Sequence, residues 1–199
     1  MTKKVRFGVV GTNFISDWVI EGAREESRFE LAAVCSRTQE RAEEFAAKHS
    51  IPHTFTSLDD MLQSDTVDAV YIATPNALHA SQSIRCMRAG KHVLCEKPLA
   101  ANAREAAEMI ATAKECGVAL MEAMKSTLSP NFRQVMTSLH RIGTPRRYFA
   151  SFCQYSSRYD RYKQGEVLNA FDPTLANGAV MDGFCSLTYA DLKIDDIFE

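Results

Sequence analysis

Between residues 5 and 121, short apolar runs alternate with amphipathic stretches of helical length. This alternation is typical of parallel β-strands connected by helices that cover the sheet. Strands buried on both faces are continuously apolar, as most of these runs are. The predicted strands are residues 5–10, 31–35, 53–55, 67–73, 92–95 and 118–121. The sequence therefore predicts an α/β fold with a doubly wound parallel sheet.

Residues that favour helix ends bound the stretches between these strands. Helices are predicted at residues 14–24, at residues 39–49, after Ser57, from Asn76 to just before Gly90, and from residue 102 to Cys116. Ser57 can accept a hydrogen bond from the free amides of a first helical turn. Asn102 and Glu105 have the spacing of a capping box.

The pattern changes after Ala123. Residues 130–139 have a helical pattern, and residues 146–156 alternate polar and apolar side chains, as a half-buried antiparallel strand does. We therefore predict two domains, residues 1–123 and residues 124–199, the second being the incomplete start of an α+β domain.

The composition excludes several classes of partner. The 199 residues carry a net charge of −2, which provides no basic field to attract nucleic acid. The apolar stretch near the N-terminus is too short for a signal peptide or a membrane span, so we expect a cytoplasmic protein without a membrane partner. The six cysteines are far apart and lack a Cys-x-x-Cys pair, which predicts reduced, mostly buried thiols and no metal site.

A partial phosphate-binding motif follows the first predicted strand. Gly11 supplies a tight turn, Asn13 takes the place of the second glycine, and Ser16 takes the place of the third. Because Asn tolerates left-handed backbone angles better than other non-glycine residues, we expect the turn to be preserved. The motif predicts a Rossmann domain that binds a dinucleotide, and a glycine turn without a ligand is the alternative.

The end of the second strand indicates the choice of cofactor. Enzymes that use NAD tend to place an acidic residue here, against the ribose 2′-hydroxyl. This chain has Ser36 and Arg37 instead, with Arg41 one helical turn later. A serine hydroxyl and an arginine suit a 2′-phosphate, so NADP is the preferred cofactor and NAD the alternative.

The fifth predicted strand runs into Glu96, Lys97 and Pro98, at the edge of the sheet where ligands bind. Proline restricts the backbone of the preceding lysine, so the side chain of Lys97 is aimed in one direction.

With these residues the chain resembles the glucose-fructose oxidoreductase and inositol dehydrogenase (Gfo/Idh/MocA) family over residues 5–182. The matching segments are Gly11-Thr12-Asn13-Phe14-Ile15-Ser16, Ser36-Arg37, Ala73-Thr74-Pro75-Asn76 with His79, Glu96-Lys97-Pro98, and Asn177-Gly178-Ala179-Val180-Met181-Asp182. The resemblance implies hydride transfer between NAD(P) and a sugar, polyol or related alcohol.

The resemblance also implies roles for individual residues. Lys97 would be the central catalytic residue, supported by Asp182, and Glu96 would steady the nicotinamide side. The loop Gly11, Thr12, Asn13, Phe14 and Ile15 would bind the pyrophosphate, while Thr74, Pro75 and Asn76 would line the crevice. His79 would contact the cofactor, and the alternative for it is a histidine on the helix surface or in packing.

The chain departs from the family pattern directly after Asp182. Gly183 and Phe184 follow, no histidine appears later, and the sequence ends at Glu199. Our hypothesis is a frame disruption or truncation after Asp182. A partial sheet leaves apolar faces exposed, which favours association, so a homo-oligomer is among the expected partners.

Three functions are compatible with these features. The first is an NAD(P)-dependent oxidoreductase acting on CH–OH groups. The second is a dinucleotide-binding module without turnover, either regulatory or a catalytically impaired fragment. The third is a Rossmann-like core without a ligand, which leaves Arg37 and Lys97 unexplained. Residues 155–162 are either a border of the substrate crevice or a solvated loop.

Overall fold

The structure, a computed structural model, describes residues 3–144, 146, 147, 149, 151 and 155–177. The chain divides into two compact units, Met1–Ala123 and Met124–Glu199. The strands of the first unit are β1 (Val5–Val10), β2 (Phe29–Cys35), β3 (His53–Phe55), β4 (Ala69–Ile72), β5 (His92–Cys95) and β6 (Leu120–Glu122). Its helices are α1 (Phe14–Ala23), α2 (Gln39–His49), α3 (Leu58–Gln63), α4 (His79–Arg88) and α5 (Ala103–Cys116).

All six strands are parallel and form one sheet in the order β3-β2-β1-β4-β5-β6. The strand order reverses between β1 and β4, which are hydrogen-bonded neighbours. At such a reversal the loops after the two strands separate and leave a crevice at the carboxyl edge of the sheet. The predicted α/β, Rossmann-type fold is confirmed.

The sheet is buried on both faces because its central strands are apolar throughout. Along β4, Val70 and Ile72 belong to one hydrophobic cluster, and Tyr71 belongs to the cluster on the other face. Side chains of a strand alternate between the two faces, so a continuously apolar strand supplies both clusters.

The predicted strands at residues 5–10, 53–55 and 92–95 have the predicted bounds. The fourth strand is shorter than predicted, because its ladder with β1 begins with the pair Phe7 and Ala69. Asp68 precedes this ladder and donates its backbone N–H to the carbonyl of Arg6 over 2.8 Å. Apolarity alone therefore overestimates the length of β4.

Helix caps explain most of the helix starts. Thr38, Ser57 and Asn102 each accept a hydrogen bond from a backbone N–H of the first turn of their helix, as predicted for Ser57 and Asn102. The predicted cap at Asn76 is wrong. A 3-10 turn, Asn76–Leu78, precedes α4, and Leu78 donates its N–H to the carbonyl of Pro75 over 2.9 Å. The chain therefore turns once more before α4 begins.

The described part of the second unit contains the helices α6 (Pro130–Ser138) and α7 (Tyr159–Lys163). Short 3-10 turns lie at Lys125–Leu128, Leu139–Ile142, Asn169–Phe171 and Pro173–Leu175. The helix predicted at residues 130–139 is confirmed apart from its last residue. The described residues of the strand predicted at 146–156 form no strand, and its other members lie outside the described residues.

Candidate functional site

Gly11 forms the turn between β1 and α1 and has a backbone φ of +105°. A Cβ atom at this position would collide with the carbonyl oxygen of Ala73 and would lie 2.8 Å from its carbonyl carbon. The turn therefore requires glycine for two reasons, its positive φ and its close approach to the backbone after β4. The sequence prediction for Gly11 rested on the first reason alone.

Asn13 has an extended backbone, with φ −102° and ψ 174°, so the expected left-handed conformation is wrong. Its side chain explains its presence at the second glycine position. Oδ1 accepts a hydrogen bond from the N–H of Ile15 over 2.9 Å and so caps α1, while Nδ2 donates to the carbonyl of Ala73 over 2.7 Å. Asn13 thus connects the loop after β1 to the loop after β4.

Ser16 is completely buried beneath the same loop. Its Oγ donates a hydrogen bond to the carbonyl oxygen of Gly11 over 2.7 Å. A small residue is needed here because α1 packs closely against the loop, and the hydroxyl of Ser16 also holds the loop in place. Phe14, at the start of α1, is half-exposed and packs edge-on against Trp18 with ring centroids 5.3 Å apart.

Polar side chains at the end of β2 lie near the loop between β1 and α1. The Oγ1 atom of Thr12 lies 3.4 Å from the Oγ of Ser36. Arg37 and Arg41 are exposed at the start of α2, and no carboxylate of the described residues forms an ion pair with either guanidinium. Two unpaired cations at a helix N-terminus favour an anionic ligand.

Thr74, Pro75 and Asn76 follow β4 and are partly buried. The hydroxyl of Thr74 donates to Oε1 of Gln82 over 2.7 Å. His79 begins α4 and is 0% exposed, so it offers no exposed atom for the predicted contact with a cofactor. Its Nδ1 lies 2.7 Å from the carbonyl oxygen of Pro98, and its Nε2 lies 2.9 Å from that of Thr74.

The turn after β5 carries Lys97, which is partly buried, and the Lys97–Pro98 peptide bond is cis. Oε1 of Glu96 accepts a hydrogen bond from the hydroxyl of Tyr71 over 2.7 Å, and its Oε2 accepts one from the N–H of Lys97 over 3.2 Å. On the other side of the turn, the N–H of Leu99 donates to Oε1 of Glu122 over 2.8 Å.

Sequence reasoning assigned no role to Tyr71, and it noted Glu122 only as part of Met121-Glu122-Ala123, which resembles the end of the family's sixth strand. Tyr71 is the one residue of β4 that carries a side-chain hydroxyl, and burial, followed by its hydrogen bond to Glu96, raises the pKa of this hydroxyl. Glu122 lies at the carboxyl end of β6. A polar group inside an apolar strand and an acid at a strand end were the two available signals.

The predicted cofactor residues lie in loops or first helical turns that follow β1, β2, β4 and β5. These loops share the carboxyl edge of one parallel sheet, and a hydrogen bond from Asn13 connects the loop after β1 to Ala73. The predicted catalytic partner Asp182 lies outside the described residues. Among the described residues, no group of three or more His, Cys, Asp or Glu side chains has the arrangement of a metal site.

No helix of the described residues is long and apolar enough to cross a membrane.

Fold and site together define an NAD-binding Rossmann protein, and comparison with known proteins agrees. Residues 5–124 match the family described as "Oxidoreductase family, NAD-binding Rossmann fold" (GFO_IDH_MocA), so the chain belongs to this family.

Two curated relatives align with nearly all of the chain. Scyllo-inositol 2-dehydrogenase (NADP(+)) IolU of Bacillus subtilis is 57% identical over 178 residues, which are 89% of this chain and 54% of the relative. The uncharacterized oxidoreductase YgjR of Escherichia coli is 46% identical over 187 residues, 94% of this chain and 57% of the relative. The chain therefore spans about half the length of these relatives.

A solved structure gives the same picture of the fold. The crystal structure of KijD10, a 3-ketoreductase from Actinomadura kijaniata in complex with TDP-benzene and NADP, is 35% identical and superposes with a TM-score of 0.66. The superposition covers 70% of this chain and 44% of KijD10.

Proposed function

We propose that the chain is the cofactor-binding part of an NADP-dependent oxidoreductase that acts on a CH–OH group of a cyclic polyol or sugar. The observation that carries the proposal is the shared carboxyl edge of the sheet: the Gly11 loop follows β1, Ser36 and Arg37 follow β2, and the Lys97 turn follows β5, on both sides of one strand reversal. The name of its B. subtilis relative, which includes scyllo-inositol and NADP, supports both the substrate class and the cofactor.

The residues present fit a dinucleotide with a 2′-phosphate. Gly11 has no side chain at the turn before α1, and a pyrophosphate is favoured at this end of the helix by the helix dipole. Thr12, Asn13, Phe14 and Ile15 continue this loop.

Ser36 and the unpaired guanidinium groups of Arg37 and Arg41 suit the 2′-phosphate. Thr74, Pro75 and Asn76 line the crevice on the other side of the strand reversal. His79 is buried and contacts the carbonyl of Thr74 in that loop, and this replaces its predicted contact with the cofactor.

Lys97 and Glu96 lie at the nicotinamide end of the proposed site. Bound NADP supplies the hydride acceptor for oxidation of the substrate. The ammonium of Lys97 would bind the substrate hydroxyl and stabilise the negative charge that develops on its oxygen as the hydride passes to the nicotinamide, while the hydroxyl proton passes to a base, the role proposed for Asp182. Glu96 orients the lysine turn through its contact with the N–H of Lys97.

We assign residues 1–123 to the NAD(P)-binding domain and residues 124–199 to part of a substrate domain, in which Asp182 supports acid–base chemistry. Nucleotide binding without turnover is the second candidate, because all the predicted cofactor residues lie in one compact unit. The predicted cytoplasmic location and homo-oligomer belong to this proposal as well.

The first test is a titration of the chain with NADPH and NADH, followed by nicotinamide fluorescence, with the variant Arg37→Ala. A charge-assisted hydrogen bond contributes about 1.5–3 kcal/mol, so we expect NADPH affinity to fall by roughly 10–100-fold while NADH affinity is unchanged. Arg88→Ala is the matched control, because this arginine is exposed in the last turn of α4, at the opposite edge of the sheet.

Equal affinity for both nucleotides, unaffected by Arg37→Ala, would contradict the preference for NADP. Failure of the folded chain to bind either nucleotide would reject the cofactor site. If NADPH binds, Lys97→Ala separates the two candidates: the oxidoreductase loses turnover and keeps its NADPH affinity, whereas a binding module has no turnover to lose.

A further inference from the structure

Three side chains from three different elements hold the turn that carries Lys97. Tyr71 of β4 donates its hydroxyl to Oε1 of Glu96 over 2.7 Å. His79 of α4 binds the carbonyl of Pro98 over 2.7 Å, and Glu122 of β6 binds the N–H of Leu99 over 2.8 Å. The residues immediately before and after Lys97 are thus each fixed by a hydrogen bond.

Core packing alone does not explain why position 71 is a tyrosine. The residue is 1% exposed and belongs to the hydrophobic cluster that also contains Val9 and Val34. A phenylalanine would fill the same apolar space without placing a hydroxyl away from water, which is costly unless the hydroxyl is hydrogen-bonded. The hydroxyl of Tyr71 has that bond, and its acceptor is Glu96.

His79 connects the lysine turn to the loop after β4. Its two ring nitrogens face the carbonyl oxygens of Pro98 and Thr74, and carbonyl oxygens only accept hydrogen bonds. A neutral imidazole donates to one of them, and the protonated ring donates to both. The ring therefore couples the position of Pro98 to the loop that lines the proposed cofactor crevice.

Glu122 provides the third hydrogen bond that holds the lysine turn. Its Oε1 accepts the N–H of Leu99, and the neighbouring Ala123 donates its own N–H to the carbonyl of Cys95 over 2.7 Å. The end of β6 is thus hydrogen-bonded to the chain both before and after the Lys97 turn.

We propose that Tyr71, His79 and Glu122 are positioning residues that direct the ammonium of Lys97 toward the cofactor crevice. The inference rests on the proposed function, because it assigns to Lys97 the site at which the substrate reacts. The three residues act through Glu96, Pro98 and Leu99 and touch neither substrate nor cofactor. Lysine has a long flexible side chain, so a fixed backbone on both sides is the means by which this fold restricts its direction.

The test measures the chemical reactivity of Lys97 in the complete chain, which does not require turnover. Each variant is labelled with a trace amount of acetic anhydride, with and without NADPH, and acetylation of Lys97 is quantified by mass spectrometry relative to the exposed Lys114 of α5. The variants are Tyr71→Phe and Glu122→Ala. Melting temperature and NADPH affinity are measured on the same samples.

Two controls match these variants. Tyr155→Phe also deletes a tyrosine hydroxyl that donates to a carboxylate oxygen over 2.7 Å, in this case Oδ1 of Asp160. Glu122→Gln keeps an oxygen that accepts the N–H of Leu99, so it is expected to restore the behaviour lost in Glu122→Ala.

We expect Tyr71→Phe and Glu122→Ala to change the relative labelling of Lys97 by about threefold or more and to weaken its protection by NADPH, since small displacements of a reacting group have large effects. Where turnover is measurable, kcat falls and KM for NADPH is retained. Tyr155→Phe and Glu122→Gln show the Lys97 labelling and the NADPH protection of the unmodified chain.

The outcomes separate this inference from the proposed function. Unchanged labelling and unchanged NADPH protection of Lys97 in both Tyr71→Phe and Glu122→Ala would overturn the positioning role. Absence of NADPH protection in the unmodified chain would instead reject Lys97 as part of the cofactor site, and the labelling without nucleotide would still decide whether Tyr71 and Glu122 position it.

Discussion

Gly11 and Gly117 are both glycines with positive φ, but only Gly11 touches another part of the backbone. The φ angles are +105° and +64°, and a Cβ would meet the carbonyl of Ala73 at Gly11 and nothing within 4 Å at Gly117. We expect Gly117→Ala to lower the free energy of unfolding by about 1 kcal/mol through backbone strain alone. Gly11→Ala should cost more than twice as much and should also abolish NADPH binding. Urea unfolding of both variants checks this prediction. Equal losses in the free energy of unfolding would contradict a collision between the new Cβ at position 11 and the carbonyl of Ala73.

At the scale of single residues, the sequence predicted which residues belong to the candidate site better than it predicted the contacts that each of them makes. Gly11 and Lys97 were recognised because their local motifs are informative. The hydrogen bonds of Asn13 to Ala73 and of His79 to Pro98 connect residues 60 and 19 positions apart. Tyr71 acts on Glu96 from a neighbouring strand. Such contacts depend on tertiary structure, which a local pattern does not contain.

At the scale of elements, an ion pair joins Arg6 of β1 to Asp68, the residue directly before β4. Arg6 contacts the two carboxylate oxygens of Asp68 over 3.0 Å and 2.8 Å. The hydrogen bond from Arg6 holds the pKa of Asp68 far below its ordinary value of 3.8, although partial burial opposes the shift. The charged carboxylate therefore stabilises the folded state above pH 3.8, and this contribution is lost as the pH falls toward the folded pKa.

We accordingly expect Asp68→Asn to lower the melting temperature at pH 7 and to have a progressively smaller effect below pH 3.8. Asp65→Asn is the control, because its fully exposed carboxylate is 3.5 Å from the same guanidinium and should contribute little. Thermal unfolding between pH 2.5 and pH 7 measures both. If the difference in melting temperature between Asp68→Asn and the unmodified chain does not vary with pH, the ion pair is not the origin of that difference.

The type and order of the first-unit elements could be predicted because their apolar runs are long and well separated. The bounds of β4 and the start of α4 could not, since the first depends on the register with β1 and the second on the 3-10 turn after Pro75. The first is decided by pairing with a strand that is distant in sequence, and the second by the hydrogen bond between Leu78 and Pro75, which the preference of Asn76 for helix caps does not reveal.

At the scale of the whole molecule, the buried thiols report on the integrity of the core. Burial raises the pKa of Cys35 to about 11 and the pKa of Cys86 and Cys95 to about 12. The thiolate is the reactive form, so these three cysteines should resist iodoacetamide in the folded protein. Cys116 is half-buried at the end of α5 and should react before these three.

Peptide mapping after labelling at increasing urea concentrations checks this prediction. Cys35, Cys86 and Cys95 should become reactive together, because they belong to one hydrophobic cluster. Labelling of any of the three in the absence of urea, at the rate of Cys116, would show that the core opens locally. The predicted burial of the cysteines is confirmed for these three residues, while Cys153 and Cys185 lie outside the described residues.

The shared use of the Ala73 carbonyl has a consequence for protein engineering. Replacing Asn13 by glycine would bring the loop closer to the Gly-x-Gly-x-x-Gly pattern of other dinucleotide-binding proteins. The same replacement would remove both the cap of α1 and the connection to Ala73. A library designed to retune the nucleotide pocket of this chain should therefore leave the consensus glycine out at position 13.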